Sequence, residues 1–296
     1  MVLEYEKLLS NLDLDKKQAS FFYSNISRLY VKIKIPKRKN GRVVGERELR
    51  IPRKDLRSVQ KKMLSFLRKN IPLLPCVHGG VSGRSIITNA NPHVGKEFVL
   101  NYDIKNFFPG IHNERVLKAL RRRLDVSQES LGWIVRIVTY ENQLPQGAPT
   151  SPFLSNVIAL DLDTKLRNLC GKISAGHTRF FDDITISGGR ELEGIYQEGV
   201  VDKIIQHEGF LLNMEKKHIA HCTEIQYATG LIVNDRLDLS DLFIEKIKYE
   251  IEDGLCFFVP EHRRSVQGSI NFVKSINRET GLMLENFYDV TKREFL

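Results

Sequence analysis

Hydrophobic and polar positions in the first seventy residues repeat with two different periods. Apolar residues in the range 3–29 recur at mixed three- and four-residue spacing, which predicts helix. The stretch YVKIKIPKRKNGRVVGERELRIP, residues 30–52, instead alternates apolar and basic positions on both sides of Asn40-Gly41, a dipeptide typical of hairpin turns. Helical spacing returns over residues 54–67. The N-terminal region is therefore predicted as helix, hairpin and helix.

The next part of the chain combines strand-like and helix-like segments. Residues 76–96 are rich in Gly, Ser and Asn and are predicted to be a loop. The strand EFVLNYDI follows and carries Asp103 near its end. After a turn at Pro109-Gly110, Asn113 can cap a helix, and a second helix is predicted over residues 131–138.

Beyond residue 144 the pattern predicts one helix, a pair of short strands, one helix over residues 192–205 and a last strand. The order strand, helix, strand-turn-strand, helix, strand is a split βαβ pattern. From about Leu237 onwards the chain is predicted to be helical, with apolar stripes over residues 240–252 and 266–276. The fold class predicted from the pattern is α+β.

Composition limits the kinds of protein that this chain can be. Its 296 residues are 42% hydrophobic, which is enough for a substantial core. It contains no apolar run of about 18 residues and no secretory signal pattern, so we expect a cytoplasmic protein without a membrane span. The four cysteines lie far apart and form no CxxC pair, so we expect reduced core cysteines rather than a zinc site or disulfides.

The positive charge is concentrated in one segment. Residues 30–69 contain fifteen Lys and Arg against three acidic residues, a local charge of +12, and since the whole chain carries +9 the remainder sums to −3. Such a field is the footprint expected for a nucleic acid backbone. A solvated lysine-rich surface would give the same count, so charge alone leaves both interpretations open.

Two adjacent aspartates interrupt the apolar stretch TRFFDDITIS, residues 178–187. In a straight strand Asp182 and Asp183 would point to opposite faces, whereas at the tip of a tight hairpin they could share a ligand. Asp103 closes a neighbouring strand, and three carboxylates at one sheet edge can hold two Mg²⁺ ions for phosphoryl transfer. An Asp-Asp pair is also ordinary turn chemistry, and Asp103 alone could cap a helix.

Several motifs in order resemble those of one enzyme family. NYDIKNFF, LPQGAPTSP and FFDD are similar to the three central motifs of reverse transcriptases, and GFLLNMEKKHI resembles the lysine-bearing motif that follows them. NANPH, residues 89–93, resembles the NAxxH signature of bacterial retron reverse transcriptases, and YATGLIVN resembles their VTG segment. Two positions differ from the family pattern: Phe180 replaces the usual tyrosine of YxDD, and Ala228 replaces the valine of VTG.

The resemblance implies a right-hand polymerase. It implies an N-terminal region with fingers at residues 1–100 and a palm with a split βαβ antiparallel sheet at residues 101–236. Part of the fingers, about residues 113–145, would be inserted in the palm. Residues 237–296 would form a helical thumb that binds RNA.

The resemblance also implies roles for individual residues. Asp103, Asp182 and Asp183 would be catalytic and would ligate two Mg²⁺ ions, with Mn²⁺ as a substitute and the carbonyl of Ile104 assisting. The residues expected to bind the deoxynucleoside triphosphate are Arg50, Lys54, Phe108, Gln146, Gly147 and Lys216. Phe108 would exclude a ribose 2′-hydroxyl, and Lys216 would lie near the leaving pyrophosphate. The residues associated with RNA would be Asn89, His93, Thr229 and Gly230.

The resemblance to retron enzymes implies partners beyond the nucleotide. The enzyme would recognise a structured noncoding RNA, start from a guanosine 2′-hydroxyl and copy part of that RNA into RNA-linked single-stranded DNA (msDNA). Such systems act in antiphage defence with an effector or toxin protein. Two alternatives stay open: another bacterial reverse transcriptase, of the group II intron or diversity-generating type, or an RNA-binding scaffold of a toxin-antitoxin complex.

Overall fold

The computed structural model describes residues 2–39 and 42–295, and the predicted Asn40-Gly41 turn lies outside them. The N-terminal region contains two helices where one helical stretch was predicted, because the chain turns between them and Asp15 caps the second helix by accepting a hydrogen bond from the Gln18 N–H at 2.7 Å. A hairpin and a long helix follow, as predicted. The elements are α1 (Tyr5–Asn11), α2 (Lys16–Asn25), a 3₁₀ turn (Ile26–Leu29), β1 (Tyr30–Lys39), β2 (Arg42–Pro52) and α3 (Lys54–Asn70).

The Gly/Ser/Asn-rich segment predicted as a loop contains a short helix, α4 (Ile86–Ala90), and a 3₁₀ turn (Asn91–His93). Ser85 begins α4 by accepting a hydrogen bond from the Thr88 N–H at 3.3 Å, and the Thr88 hydroxyl accepts one from the Ser85 N–H at 2.8 Å. This reciprocal cap stabilises a helix whose composition favours a loop. The loop prediction was therefore wrong over these residues.

A four-stranded antiparallel sheet occupies the centre of the molecule. Its strands are β3 (Phe98–Asp103), β4 (Gly176–Phe180), β5 (Asp183–Gly188) and β6 (His218–His221), in the order β4-β5-β3-β6. The hairpin β4–β5 is separated in sequence from β3 and from β6 by helices, so the predicted split βαβ arrangement is confirmed. Strand β3 lies between β5 and β6; β5 pairs with it as far as Asp103, whereas the pairing with β6 stops at Asn101.

Helices cover the sheet and connect its strands. They are α5 (Asn113–Arg121), α6 (Gln128–Val138), α7 (Ser151–Ile158), α8 (Leu160–Lys172), α9 (Glu191–Gln197) and α10 (Val200–His207). The sequence predicted one helix in place of α7 and α8, and one in place of α9 and α10. The first break falls at Ala159, a strong helix former that gives no local signal of an end.

The C-terminal part of the chain is helical, as predicted, after a small hairpin. Its elements are β7 (Tyr227–Ala228), β8 (Leu231–Ile232), α11 (Asp241–Glu252), α12 (Leu255–Phe258), α13 (Pro260–Ile276) and α14 (Arg278–Phe295). Buried apolar residues form two clusters, one that extends from α1 through the sheet to α10 and one that joins the C-terminal helices to Ala90 and Val99. The α+β class is confirmed.

Two further expectations concern the surface. Cys170 and Cys256 are buried and Cys76 is partly buried, but Cys222 is exposed, so the core placement was wrong for that residue. Among the described residues, no helix is both long enough and apolar enough to cross a lipid bilayer.

Candidate active site

Three carboxylates converge where β3 ends. Asp103 and Asp183 face each other as Cα partners in the antiparallel pair β3–β5. Phe180 pairs with Asp183, so the tip of the hairpin is the two-residue turn Phe181-Asp182, and Asp183 already belongs to the strand. The expectation of both aspartates at the tip was wrong by one residue. The Ile104 N–H donates to the Asp182 carbonyl at 3.0 Å, which ties the two carboxylate-bearing segments together.

Burial and neighbouring charges shift the pKa values of residues in this cluster. Burial, followed by the negative charges of Asp182 and Asp103, raises the pKa of Asp183 to about 7. The Lys216 ammonium donates a hydrogen bond to Asp103 Oδ2 at 2.5 Å, and this bond raises the pKa of Lys216. The Asn213 side chain donates to Asp103 Oδ1 at 3.0 Å. Carboxylates this close repel one another, so the site favours positive charge.

Asn213 and Lys216 reach Asp103 because the chain before β6 follows the end of β3. The Asn213 N–H donates to the Asp103 carbonyl at 2.8 Å, and a 3₁₀ turn, Met214–Lys216, then brings the lysine to the same side. Sequence reasoning assigned a role to Lys216 but missed Asn213. The three-residue spacing within the motif NMEK was the available signal, since residues i and i+3 align in a 3₁₀ turn.

A cleft of about 810 Å³ opens beside the carboxylates. Eight of the predicted site residues line it, namely Arg50, Asp103, Ile104, Phe108, Gln146, Gly147, Asp182 and Lys216. Lys54 is exposed at the start of α3 and is not among the lining residues. The structure thus brings most of the predicted nucleotide-binding set together with Asp103 and Asp182, and neither Lys54 nor Asp183 is among the lining residues.

Phe108 is half-buried in the floor of the cleft. Its ring centroid lies 5.6 Å from that of Phe181 and 5.5 Å from that of Phe107. Phe107 is 4% exposed and belongs to the core, as expected. The ring of Phe108 is therefore fixed by aromatic neighbours on two sides while part of its surface stays accessible.

The segment Gln146-Gly147 lies against β2. The Arg50 N–H donates to the Gln146 carbonyl at 2.7 Å, and a Cβ at Gly147, where φ is +116°, would lie 3.2 Å from the Arg50 carbonyl oxygen. Only glycine permits this close approach. The Arg50 guanidinium is ion-paired with Glu48 at 3.0 Å and with Glu141 at 3.3 Å, so acidic partners hold it at the rim of the cleft.

A buried arginine, Arg179, donates a hydrogen bond to the turn Phe181-Asp182. Arg179 and Asp163 are both 0% exposed and form a bidentate pair, Nε to Oδ1 and Nη2 to Oδ2, each at 2.7 Å. The Arg179 Nη1 donates to the Phe181 carbonyl and to Asn156 Oδ1, both at 3.0 Å. Asn156 in turn donates to the Gly79 carbonyl at 2.7 Å. Sequence reasoning missed this network.

The network holds a turn that its own residues disfavour. Phe181 has φ of +58°, which is unusual and costly for a bulky residue. A Cβ at Gly79 would lie 2.6 Å from the Phe181 nitrogen, so the neighbouring loop can close over the turn only because residue 79 is glycine. The position of Asp182 and Asp183 is thus set by packing and hydrogen bonds behind them.

Among the described residues, one group of three potential metal ligands has its ligand atoms within 4.8 Å of one another, and it lies beside this network rather than among the three aspartates. The group consists of Cys76, Asp163 and His177. However, both Asp163 oxygens accept from Arg179, and burial raises the pKa of the Cys76 thiol to about 12. A cation here would compete with a buried guanidinium, which argues against a metal site at this position.

The residues associated with RNA divide into a buried pair and a surface turn. Asn89 and His93 are 0% exposed, and His93 contacts Ser187 Oγ at 2.7 Å and Thr178 Oγ1 at 2.8 Å. Burial lowers the pKa of His93 to about 3, so the ring is neutral. Side chains without exposed surface do not contact RNA directly.

The surface turn is formed by Thr229 and Gly230, between β7 and β8. The Asn89 amide donates to the Thr229 hydroxyl at 2.6 Å. Thr229 has φ of +50°, and Gly230 is exposed. Asn89 therefore fixes the exposed turn from beneath.

Comparisons with known proteins identify a family match and several similar proteins. Residues 35–234 match the family described as reverse transcriptase (RNA-dependent DNA polymerase). The chain is 32% identical over 271 residues to the retron Mx65 reverse transcriptase of Myxococcus xanthus, covering 85% of this chain and 62% of that protein. It is 30% identical to the retron Mx162 reverse transcriptase of the same organism, covering 69% and 47%. The retron Ec86 reverse transcriptase of Escherichia coli is 26% identical, covering 82% and 76%.

Among solved structures, the chain is similar to a telomerase from Candida albicans in complex with a fragment of telomeric RNA. The TM-score is 0.50 at 12% identity, covering 97% of this chain and 63% of that one. At this identity the likeness concerns the fold alone. Together with the family match it confirms the predicted right-hand polymerase fold. The chain spans 62% and 47% of the length of the first two relatives.

Proposed function

The chain belongs to the reverse transcriptase family, and from that premise we propose that it is the RNA-directed DNA polymerase of a retron. The single observation that carries the proposal is the convergence of Asp103, Asp182 and Asp183 at the end of β3, where Asp103 and Asp182 line a cleft. The similarity of the chain to retron reverse transcriptases supports the retron assignment.

The donor set fits a pair of divalent cations. Three carboxylates and the main-chain carbonyl of Ile104 are hard oxygen ligands, which Mg²⁺ and Mn²⁺ prefer over nitrogen or sulfur. Burial, together with the charges of Asp182 and Asp103, raises the pKa of Asp183 to about 7, and such ions would relieve the repulsion between these carboxylates. When bound, two metal ions would activate the attacking hydroxyl and stabilise the leaving oxygen of an in-line phosphoryl transfer.

Residues along the cleft would bind and select the deoxynucleotide. The fixed ring of Phe108 would occupy the space that a ribose 2′-hydroxyl requires, which favours deoxyribose. Gly147 allows the backbone to approach the base or sugar closely, and the Gln146 amide can donate or accept a hydrogen bond. Arg50 at the rim would bind the triphosphate, exchanging its carboxylate partners for phosphate oxygens. Lys54 lies outside the cleft, so we do not assign it to the triphosphate.

Lys216 would change partners during the reaction. Its ammonium contacts Asp103 at 2.5 Å and lies at the edge of the cleft. This ammonium would turn from Asp103 to the leaving pyrophosphate and stabilise its charge. Asn213 would keep the Asp103 carboxylate oriented through its 3.0 Å hydrogen bond.

The finer biology is also part of the proposal. The protein would recognise a structured noncoding RNA and copy part of it into RNA-linked single-stranded DNA, starting from a guanosine 2′-hydroxyl. It would act in antiphage defence together with an effector protein. The exposed turn Thr229-Gly230 would contact the RNA, and the buried Asn89 and His93 would act by fixing that turn and the β4–β5 hairpin.

The test is expression of the gene with its flanking DNA, followed by extraction of short DNA and RNase digestion. The proposal predicts a DNA band that shifts on RNase treatment, is absent in Asp103→Ala and persists in the matched control Asp235→Ala, whose carboxylate is exposed on a loop. A band of unchanged intensity in Asp103→Ala would overturn the site assignment. If Asp182→Asn abolished the band but left phage protection intact, an RNA-binding scaffold would be the better account of function.

A further inference from the structure

The exposed face of α3 is the most one-sided charged surface among the long helices. Its six cations, Lys54, Arg57, Lys61, Lys62, Arg68 and Lys69, stand against one acid, Asp55. The two long C-terminal helices carry mixed signs, with three Lys or Arg against one acid on α13 and three against four on α14. The excess on α3 therefore differs from that of an ordinary solvated helix in this protein.

The cations are aligned along the helix. Since each residue turns the helix by about 100°, Lys54, Arg57, Lys61 and Arg68 fall within about 60° of arc. All four are exposed, while the opposite face buries Leu56, Val59, Gln60, Met63 and Leu67. With a rise of about 1.5 Å per residue, the row is about 21 Å long, equal to about six steps of a nucleic acid strand.

The row is not neutralised within the protein. Within residues 2–39 and 42–295, the described side chains form no ion pair with Lys54, Arg57, Lys61, Arg68 or Lys69, and Lys62 pairs with Asp13 at 3.2 Å on the surface. The helix itself gains nothing from Lys54 and Arg57, because cations near a helix N-terminus oppose the macrodipole. Arg57 and Lys61 at spacing i, i+4 also repel each other. An external polyanion would relieve both costs.

A cavity adjoins the row away from the catalytic cleft. It has a volume of about 760 Å³. Its polar lining comprises the cations Lys62, Lys69 and Arg123, the amides Asn11 and Asn70, Ser65 and one acid, Asp125, and the rest of its lining is apolar. None of its lining residues lines the cleft at the carboxylates. Cationic and amide donors around an open space of this size suit phosphate and ribose or base edges of one nucleotide.

We propose that the row Lys54–Arg57–Lys61–Arg68 and the adjoining cavity form a phosphate-binding track for the folded RNA, separate from the catalytic cleft. The inference rests on the proposed function and names the surface that would hold the RNA partner outside the reaction centre. Charge complementarity selects the occupant: phosphates spaced along a strand match cations spaced along a helix. The cavity receives a nucleotide that leaves the strand at the end of the row.

The test compares two triple variants of equal charge change. Arg57→Gln/Lys61→Gln/Arg68→Gln removes the row, and Lys7→Gln/Lys17→Gln/Lys172→Gln removes three exposed lysines elsewhere. The probe is a labelled transcript of the DNA that flanks the gene, and its dissociation constant is measured between 50 and 200 mM salt. Primer extension on a short generic RNA template with a DNA primer is measured in parallel.

The track predicts that the row variant binds the transcript about 10- to 100-fold more weakly, with a salt slope reduced by about 2 to 3, while the control variant stays close to the parent. Generic primer extension is predicted to stay within about twofold. Equal binding by the row variant and the parent, or equal loss in both variants, would overturn the track. Absent primer extension in the parent would instead count against the proposed polymerase, and the binding comparison would still decide the track.

Discussion

The buried pair Arg179–Asp163 allows stability and catalysis to be separated. In Asp163→Asn the guanidinium loses its charge partner and one of two hydrogen bonds of 2.7 Å, since the amide nitrogen cannot accept, in a site with 0% exposure. Removing one partner of such a pair costs about 3–5 kcal/mol of unfolding free energy, which is roughly 6–10 °C in melting temperature for a chain of this size.

Catalysis should suffer for a different reason. Arg179 holds the Phe181 carbonyl at 3.0 Å in a turn with φ of +58°, and Asp182 and Asp183 follow directly. If the turn relaxes by about 1 Å, we expect primer extension to slow by about 10²-fold. The double variant Arg179→Met/Asp163→Leu replaces the pair by apolar side chains and should regain most of the lost stability, since such replacements are often neutral. Its turnover should stay low, because Phe181 lacks its donor.

The assays are thermal unfolding and single-turnover primer extension. The matched control is Asp161→Asn on the same helix, whose carboxylate is 42% exposed and pairs with Arg122 and Arg123 at the surface. It should change stability by about 1 kcal/mol at most and leave the rate unchanged. If the double variant regained both stability and turnover, Arg179 would contribute to stability alone and the positioning argument would be refuted.

Three further predictions concern the cleft. Lys216→Met removes an ammonium that lies 2.5 Å from Asp103 and is largely exposed to solvent. At pH 8.5 this variant should bind Mg²⁺ roughly 5- to 30-fold more tightly than the parent while extending primers more slowly. Weaker metal binding by calorimetry would contradict this. Asp183 has a raised pKa of about 7 and must lose its proton to bind metal. Mg²⁺ affinity should therefore rise about tenfold per pH unit below pH 7 and level off above it. A flat affinity profile from pH 6 to 8 would refute the coupling. Phe108→Val should lower the preference for deoxynucleotides over ribonucleotides, measured as a ratio of kcat/KM, by roughly 10- to 100-fold, and an unchanged ratio would remove Phe108 from sugar selection.

The sequence predicted those parts of the site that depend on short contiguous motifs. Strands with period-two alternation placed Asp103 at the end of β3 and the aspartate pair in a hairpin, and β-pairing then brings them together. The exact turn was missed because rules for turns favour Asp over Phe, whereas tertiary contacts hold Phe181 at positive φ.

The supporting network could not be predicted because its members are remote in sequence and unremarkable alone. Gly79, Asn156, Asp163 and Arg179 acquire their roles only when three segments pack together. Polar composition likewise favoured a loop at NANPH, but Asn89 is buried and donates a hydrogen bond to Thr229. Thr229 lies far away in the chain, so no local pattern reveals this contact. Local propensity carries no information on such long-range satisfaction of polar groups.

The most direct test of the central claim is single-turnover extension of a DNA primer on an RNA template in Mg²⁺ by the parent and by Asp183→Asn. The substitution keeps the shape of the side chain and removes the charge that faces Asp103 across the sheet. The account predicts Mg²⁺-dependent extension by the parent and a rate about 10³-fold lower in the variant, with Asp235→Asn unaffected. Extension by Asp183→Asn at the parental rate would contradict it.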